Sequence, residues 1–495
     1  MLSIPAVAGG VPDKAALRLK LANALWMDSG NAAGLIPGAP LPFNTLDASY
    51  SYEAGDYRRM QSGTSLSDIR FDTQGARKVG SVQVWGHFRY DNISEEGASY
   101  NTLLYNPYDE RFLYTAADTV AGLWKKQSYL MEFKAAVPIA GGLSGGVHVS
   151  YTDRIAAGQI DPRAESYHYA VTVRPALTWQ AGRSTFGLNG LYTNTFERST
   201  PSISNSQEIQ KVYLLRGLGN WVGDQVGGSG LSTMYFRCDT WGGAIQYSLE
   251  GPLRLLADIS YSTHGSSIRE SATQPKPHGS TRRQEAEASL QAAFGSQVLH
   301  KAGLTVSAAR TKGTEPTTQW NTAAGEWEIT FSTEQCSFLT LDALLSYEAF
   351  ILREDSYTWH FNASAGLLAK DDSYAIPYSR MNYTNLSILG GAERRLAFRN
   401  NTSLLLGAEL EGVKSLGGAY SYSGHREGTA PVRELYPHDV AVLSADRLRA
   451  GLRAEYAVGL REGTGLAFCA EGSLLKAFCP FPLRWSILGG VRLYF

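Results

Sequence analysis

The serine in Gly142-Leu143-Ser144-Gly145-Gly146 matches the G-x-S-x-G form of an acyl-transfer nucleophile. That serine is reactive when it rides a sharp turn between a strand and a helix. Here Val147, Val149 and Tyr151 follow with strand alternation, so the glycines read as a tight turn instead. Carboxylates towards segment ends, Asp109, Glu110, Asp239 and Glu315, would serve a surface protease or lipid hydrolase if two of them met in an outer cleft. Five histidines, His87, His148, His168, His264 and His360, come from scattered segments without H-x-x-x-H or H-E-x-x-H spacing, so no metal site and no cofactor is expected. Cys238, Cys336, Cys469 and Cys479 contain no C-x-x-C, which argues against a redox or zinc site. In an oxidising compartment a staple among the loop-proximal Cys238, Cys336 and Cys479 is expected, with Cys469 inside a strand. The chain reads as a protein other than an enzyme.

A second set of charges has a strict period. Arg447, Arg449 and Arg453 alternate with Leu448, Ala450, Leu452, Ala454 and Tyr456, which is the two-residue repeat of a strand. The preceding segment, 401–413, puts Glu409 and Glu411 on the corresponding face, and 281–295 adds Arg283, Glu285 and Glu287 opposite Ala286, Ala288, Leu290, Ala292 and Phe294. An arginine facing lipid at a bilayer midplane costs about 2–4 kcal/mol, so if these segments span, the charges face a lumen. Opposite signs on neighbouring strands make an ion-pair ladder there. Such a lining suits a water-filled or plugged interior better than a strongly ion-selective pore.

The elements that must carry these residues follow from composition and pattern. With 45 basic and 46 acidic side chains in 495 residues, the chain offers no electrostatic case for nucleic acid. Mean hydropathy is −0.20 and no apolar run reaches the roughly 18 residues of a spanning helix, which excludes a helical membrane bundle but not a barrel. From residue 46 to 495, alternating segments of about ten to fourteen residues end in turns. Short connections such as Lys78-Val79-Gly80, Gln180-Ala181-Gly182-Arg183 and Arg353-Glu354-Asp355 exchange with long ones near 93–125, 197–232, 312–336 and 414–440. This predicts a transmembrane antiparallel up-and-down β-barrel of about eighteen strands, with sixteen or fourteen as alternatives, in the bacterial outer membrane. Short turns lie on its periplasmic side and long loops outside. Residues 317–334 read as an extra extracellular hairpin in some of these counts, and Tyr105, Tyr108, Trp221, Trp320 and Trp327 as loop aromatics facing outward to a partner or ligand.

Residues 1–8, ending in Ala6-Val7-Ala8, read as a residual signal peptide, 9–45 as an N-terminal segment with a short helix that plugs the lumen, and 46–495 as the barrel. Trp485, Ile487, Gly489, Val491, Leu493 and Phe495 alternate up to a terminal aromatic and resemble the C-terminal strand signal of bacterial outer-membrane proteins. That resemblance implies insertion into outer-membrane lipid by the barrel-assembly machinery, with Gly490, Leu493 and Phe495 at the signal positions. Asn31-Ala32-Ala33-Gly34 is similar to the hatch element of FadL-like and PorV-like barrels, with Ala32 where those carry proline. On the barrel pattern, the Trp26…Leu35 stretch and the last strand, the chain resembles an uncharacterised family of Bacteroidetes outer-membrane β-barrels. The resemblance implies nutrient or metal uptake, as a porin-like channel or as an accessory subunit of a TonB-dependent receptor and a surface lipoprotein.

Overall fold

Alternation along the sequence becomes a closed wall in the computed structural model, which describes residues 12–38, 42–205, 207, 210–226, 230–460 and 463–495. The signal-peptide reading of 1–8 falls outside these residues. The strands in chain order are β1 (Phe43–Gly55), β2 (Ser65–Val79), β3 (Val82–Ala98), β4 (Thr115–Ala117), β5 (Gly122–Ala140), β6 (Leu143–Gly158) and β7 (Arg163–Ala181). They continue as β8 (Ser184–Ser202), β9 (Gln210–Gly217), β10 (Asn220–Val226), β11 (Met234–Leu249), β12 (Leu253–Glu270), β13 (Lys276–Phe294) and β14 (Val298–Asn321). The last are β15 (Glu326–Arg353), β16 (Ser356–Tyr374), β17 (Ser379–Phe398), β18 (Thr402–Tyr422), β19 (Arg447–Gly459), β20 (Gly465–Ala477) and β21 (Leu483–Tyr494). Eighteen of them form one antiparallel sheet, closed where β21 pairs with β1; β4, β9 and β10 form a separate small sheet. The fold is the expected antiparallel β-barrel, and closure removes every sheet edge along the wall.

The outer face is greasy in the way a bilayer requires. On β19, Leu448, Leu452 and Tyr456 are exposed outward while Gly451 and Glu455 are buried inward. Aromatic side chains form two outward bands: Trp179, Phe186 and Tyr247 near the short turns, and Tyr169, Phe196 and Tyr235 higher up. Phe186 and Phe196 lie ten residues apart on β8. At a strand tilt of about 40° and roughly 3.3 Å per residue this is about 25 Å along the membrane normal, the height of a lipid-facing band.

Residues 317–334 form a hairpin that is continuous with two strands of the wall. They lengthen β14 and β15, which stay paired to Trp320↔Trp327 beyond the points where their outer neighbours stop. The chain ahead of the barrel forms α1 (Lys14–Asn23) and two short 3-10 turns, Leu25–Asp28 and Ala32–Leu35. Asp13 caps α1 by accepting from Ala16 N at 3.0 Å. Trp26, 2% exposed, is buried in one cluster with Leu19, Leu25 and the wall residues Leu256, Ala293, Leu299, Phe350 and Leu405, so this segment sits inside the barrel at the short-turn end.

The long-loop end is also filled from within. Residues 99–121, the β9–β10 hairpin and α2 (Tyr436–Leu443) fold inward, burying Tyr100, Leu103, Leu104, Phe112, Tyr114, Leu214 and Leu218. This corrects the outward orientation expected of Tyr105, Tyr108 and Trp221, the last packed edge-on against Tyr213. Leu103, Leu104 and Phe112 can leave water only by packing against Phe236 and Ile268 on the wall, and they draw the loop in with them. The expected cysteine staple is likewise not formed: Cys238, Cys336, Cys469 and Cys479 are all free thiols. Cys238 is buried in the cluster with Leu103 and Phe236, and Cys336 in a different one with Leu218 and Tyr374, so packing holds the loops in place of a bridge.

Candidate functional site

The N-terminal segment is held to the inner wall by a ring of charge-assisted bonds. Arg18 on α1 reaches Glu393 of β17 at 2.6 Å and His360 of β16 at 3.2 Å. Glu393 is 0% exposed and also accepts from Arg453 of β19 at 2.8 Å and from the Tyr357 hydroxyl. Asp13 accepts from Arg395 and Ser403, both at 2.6 Å. Lys14 pairs with Glu471 of β20 at 3.2 Å, and its backbone N–H donates to Glu455 of β19. Further round the wall, on β14 and β12, Lys301 holds Asp28 at 3.0 Å and Arg254 donates to Asn23.

The Asn31–Gly34 stretch makes a different kind of contact, through an amide side chain and a close backbone approach. The Asn31 amide donates to the Leu177 and Leu188 carbonyls and to Gln246, while its oxygen accepts from Ala33 N–H. Ala32 and Ala33 are fully buried. A Cβ on Gly146 of β6 would lie 2.6 Å from Ala33 N, so only glycine lets the hatch backbone rest on this strand. The G-x-S-x-G motif is thereby explained without catalysis: Gly142 turns the chain at φ +82°, and Gly146 seats the hatch.

Above α1 lies a cavity of about 520 Å³ between the helix and the wall. Lys14, Leu17, Arg18, Leu21 and Ala22 floor it; Asp47, Arg70, Asp72, Arg89, Lys301, Glu348, Glu471 and Arg492 are among the wall residues. A second space of about 230 Å³ next to it is lined by Glu53, Glu409, Arg449, Arg453 and Ser473, and shares Glu471 and Leu488 with the first. The inward loops bound the lumen on the far side. Glu110 in loop 99–121 pairs with Arg283 at 2.7 Å and with Lys370; the Arg111 carbonyl accepts from Ser266 and Thr281, each at 2.6 Å. Asp439 of α2 accepts from Arg59 at 2.7 Å. Burial pushes the carboxyl of Asp118, beside β4, up to about 6, offset in part by hydrogen bonds from Val120 N–H and the Thr102 hydroxyl.

The charged residues expected in the lumen are brought together only in part. Arg453 reaches Glu409 at 3.5 Å and Arg283 reaches Glu285 at 3.3 Å, yet the shorter partners are Glu393 and Glu110, which the ladder did not include. Arg449 and Glu411 face each other in register without an ion pair, and Glu287 has no ion-pair partner among the described residues. Arg447 sits 6.0 Å from the Tyr57 ring centre and donates to a backbone carbonyl. Leu493 and Phe495 lie on β21 and just past it, where Phe495 and Asn44 exchange backbone hydrogen bonds at the closing seam. A Cβ on Gly490 would press on the Ala48 carbonyl and the Cys469 sulfur. Asp109 pairs with Arg111, Glu315 accepts from Tyr374, and Asp239 faces outward to Tyr192 and Asn194. Among the described residues no group of histidine, cysteine and carboxylate side chains is placed to hold a metal ion.

The model of a family of unknown function, DUF6850, matches residues 33–495. No curated protein matches the sequence. Among solved structures the chain is similar to the ferric preacinetobactin receptor BauA of Acinetobacter baumannii, at 11% identity and a TM-score of 0.38, covering 92% of this chain and 80% of that one. It is similar also to the ferric yersiniabactin uptake receptor FyuA of Yersinia pestis, at 7% identity and 0.40, over 92% and 80%. The outer membrane transporter YddB of Escherichia coli gives 8% identity and 0.40, over 91% and 81%.

Proposed function

We propose a function from the premise that this chain, matched over residues 33–495, belongs to the family of unknown function DUF6850. The protein is a gated outer-membrane barrel for uptake of a small nutrient, kept shut by its own N-terminal hatch and working as an accessory subunit beside a TonB-dependent receptor and a surface lipoprotein. The observation that carries this reading is the filling of the lumen at both ends, by α1 with its ring of ion pairs on one side and by the inward loops on the other. A permanently open porin would leave such a lumen wet and wide. Similarity of Asn31-Ala32-Ala33-Gly34 to the hatch of FadL-like and PorV-like barrels supports the same reading, as does the terminal strand for delivery by the barrel-assembly machinery. The carboxylates that would serve a surface hydrolase are each engaged elsewhere, which favours transport over catalysis.

The test is single-channel recording on the purified full chain in planar bilayers. Silence from the native protein, with openings in Arg18→Ala and Asp13→Ala, is the expected result. Steady conductance from the native chain would remove the gate. Co-purification of the tagged protein from native membranes with a receptor and a lipoprotein checks the accessory role, and a barrel that purifies alone would count against it.

A further inference from the structure

We infer that the lumen holds a binding site for a short zwitterionic peptide, with Arg449 taking its carboxylate and Glu471 its ammonium group. This rests on the uptake reading and names the class of solute. The cavity above α1, at about 520 Å³, falls in the roughly 300–1,000 Å³ range of small-molecule sites. Its chemistry narrows the occupant. Six cations against five carboxylates line it, too balanced to prefer a polyanion. Its lining includes no aromatic ring on which a sugar would stack, and Leu17, Leu21, Ala22 and Leu488 are too few to hold a lipid chain. For a bare metal ion, no group of histidine, cysteine or carboxylate side chains among the described residues is placed to hold it. A peptide presents both signs of charge, backbone donors and acceptors, and small apolar groups, which is the mixture on this wall.

Two residues fix the register. Arg449 lines the adjoining space and has no ion-pair partner among the described residues, so its guanidinium is available to an incoming carboxylate. Glu471 lines both spaces and, although it pairs with Lys14, keeps 43% of its side chain exposed. On the paired strands β19 and β20, Glu471 sits opposite Arg453, four residues along from Arg449. Both side chains point inward from positions offset by roughly 13 Å at about 3.3 Å per residue. An extended tripeptide spans about 10–11 Å, and a hydrogen bond of about 3 Å at each end brings this to about 16–17 Å, within reach of two long side chains whose backbone positions are offset by about 13 Å along neighbouring strands.

Isothermal titration of the detergent-solubilised full chain with trialanine tests this, with trialanine amide, N-acetyl-trialanine and maltotriose as the other probes. Trialanine is expected to bind, and Arg449→Gln to weaken it about tenfold, the worth of one charge-assisted hydrogen bond. Trialanine amide should bind the native chain about tenfold more weakly yet lose little more in Arg449→Gln; N-acetyl-trialanine and Glu471→Gln should show the same coupling. Heat-modifiable gel migration confirms that each variant is a folded barrel. Equal binding of trialanine and its amide, binding of maltotriose alone, or no binding of trialanine would overturn the assignment. If trialanine fails while Arg18→Ala still opens a conductance, the solute class falls and the gated-uptake reading stands.

Discussion

Glu393 gathers donors from three parts of the chain: Arg18 from the hatch helix, and Arg453 and Tyr357 from the wall. Truncating Arg18 leaves the carboxylate two of its partners, so Arg18→Ala should loosen the hatch by about 1–3 kcal/mol without unfolding the barrel. Faster tryptic cleavage within residues 13–38, at unchanged heat-modifiable migration, is the expected readout; unchanged cleavage would show that Arg18 does not hold the segment. Asp118 gives a pH dependence at the opposite end. Its carboxyl is raised from 3.8 to about 6 by burial, so the folded loop binds that proton more tightly than the unfolded chain does. The resulting stability is fully present below about 3.8 and is lost as pH rises through about 6. Hydrogen exchange corrected for intrinsic rates should therefore show residues 99–121 better protected at pH 5 than at pH 7, with Asp118→Asn abolishing the difference. Alternation places such residues on an inner face, as it does for Arg453 and Glu409. It does not name partners, because Arg18 and Glu393 are 375 positions apart and nothing local ties them.

At the scale of elements, the strands were legible and the inward loops were not. β19 and β21 announce themselves by strict alternation between lipid and lumen. The β4–β9–β10 sheet has no lipid face to impose a pattern, and strands as short as Thr115–Ala117 leave too few residues to show one. Leu103, Leu104 and Phe112 were its available signal: apolar side chains in a loop that would otherwise lie in water. The glycine that receives the Ala33 backbone, Gly146, lies in a motif that resembles a nucleophile turn. Gly146→Ala puts a methyl group against the Ala33 backbone while leaving β6 free to pair, so it should expel the hatch and spare the barrel. Limited proteolysis showing an exposed N-terminal segment in a heat-modifiable barrel would bear this out. An intact, protected segment would mean the strand yields instead.

For the molecule as a whole, strand number, closure and the lipid-facing band followed from chain length, turn asymmetry and aromatic placement. The state of the thiols did not, since spacing alone cannot say which cysteines meet. All four are free and occupy separate environments, so intact-mass measurement after alkylation under denaturing, non-reducing conditions should count four modified thiols. Alkylation of the folded barrel should spare Cys238 and Cys336, which lie beneath the inward loops, until those loops open. A gel shift on reduction would contradict this arrangement.

The grip on α1 has a consequence in time. Glu393, Arg395, Glu455 and Glu471 all belong to the last five strands, far along the chain from the segment they hold. Asp13, Lys14 and Arg18 therefore have no site to occupy until those strands stand together in the wall. Its docking therefore dates the joining of β1 to β21: in a pulse-labelled assembly reaction, protease resistance at residues 13–38 should arise together with the heat-modifiable form and never ahead of it.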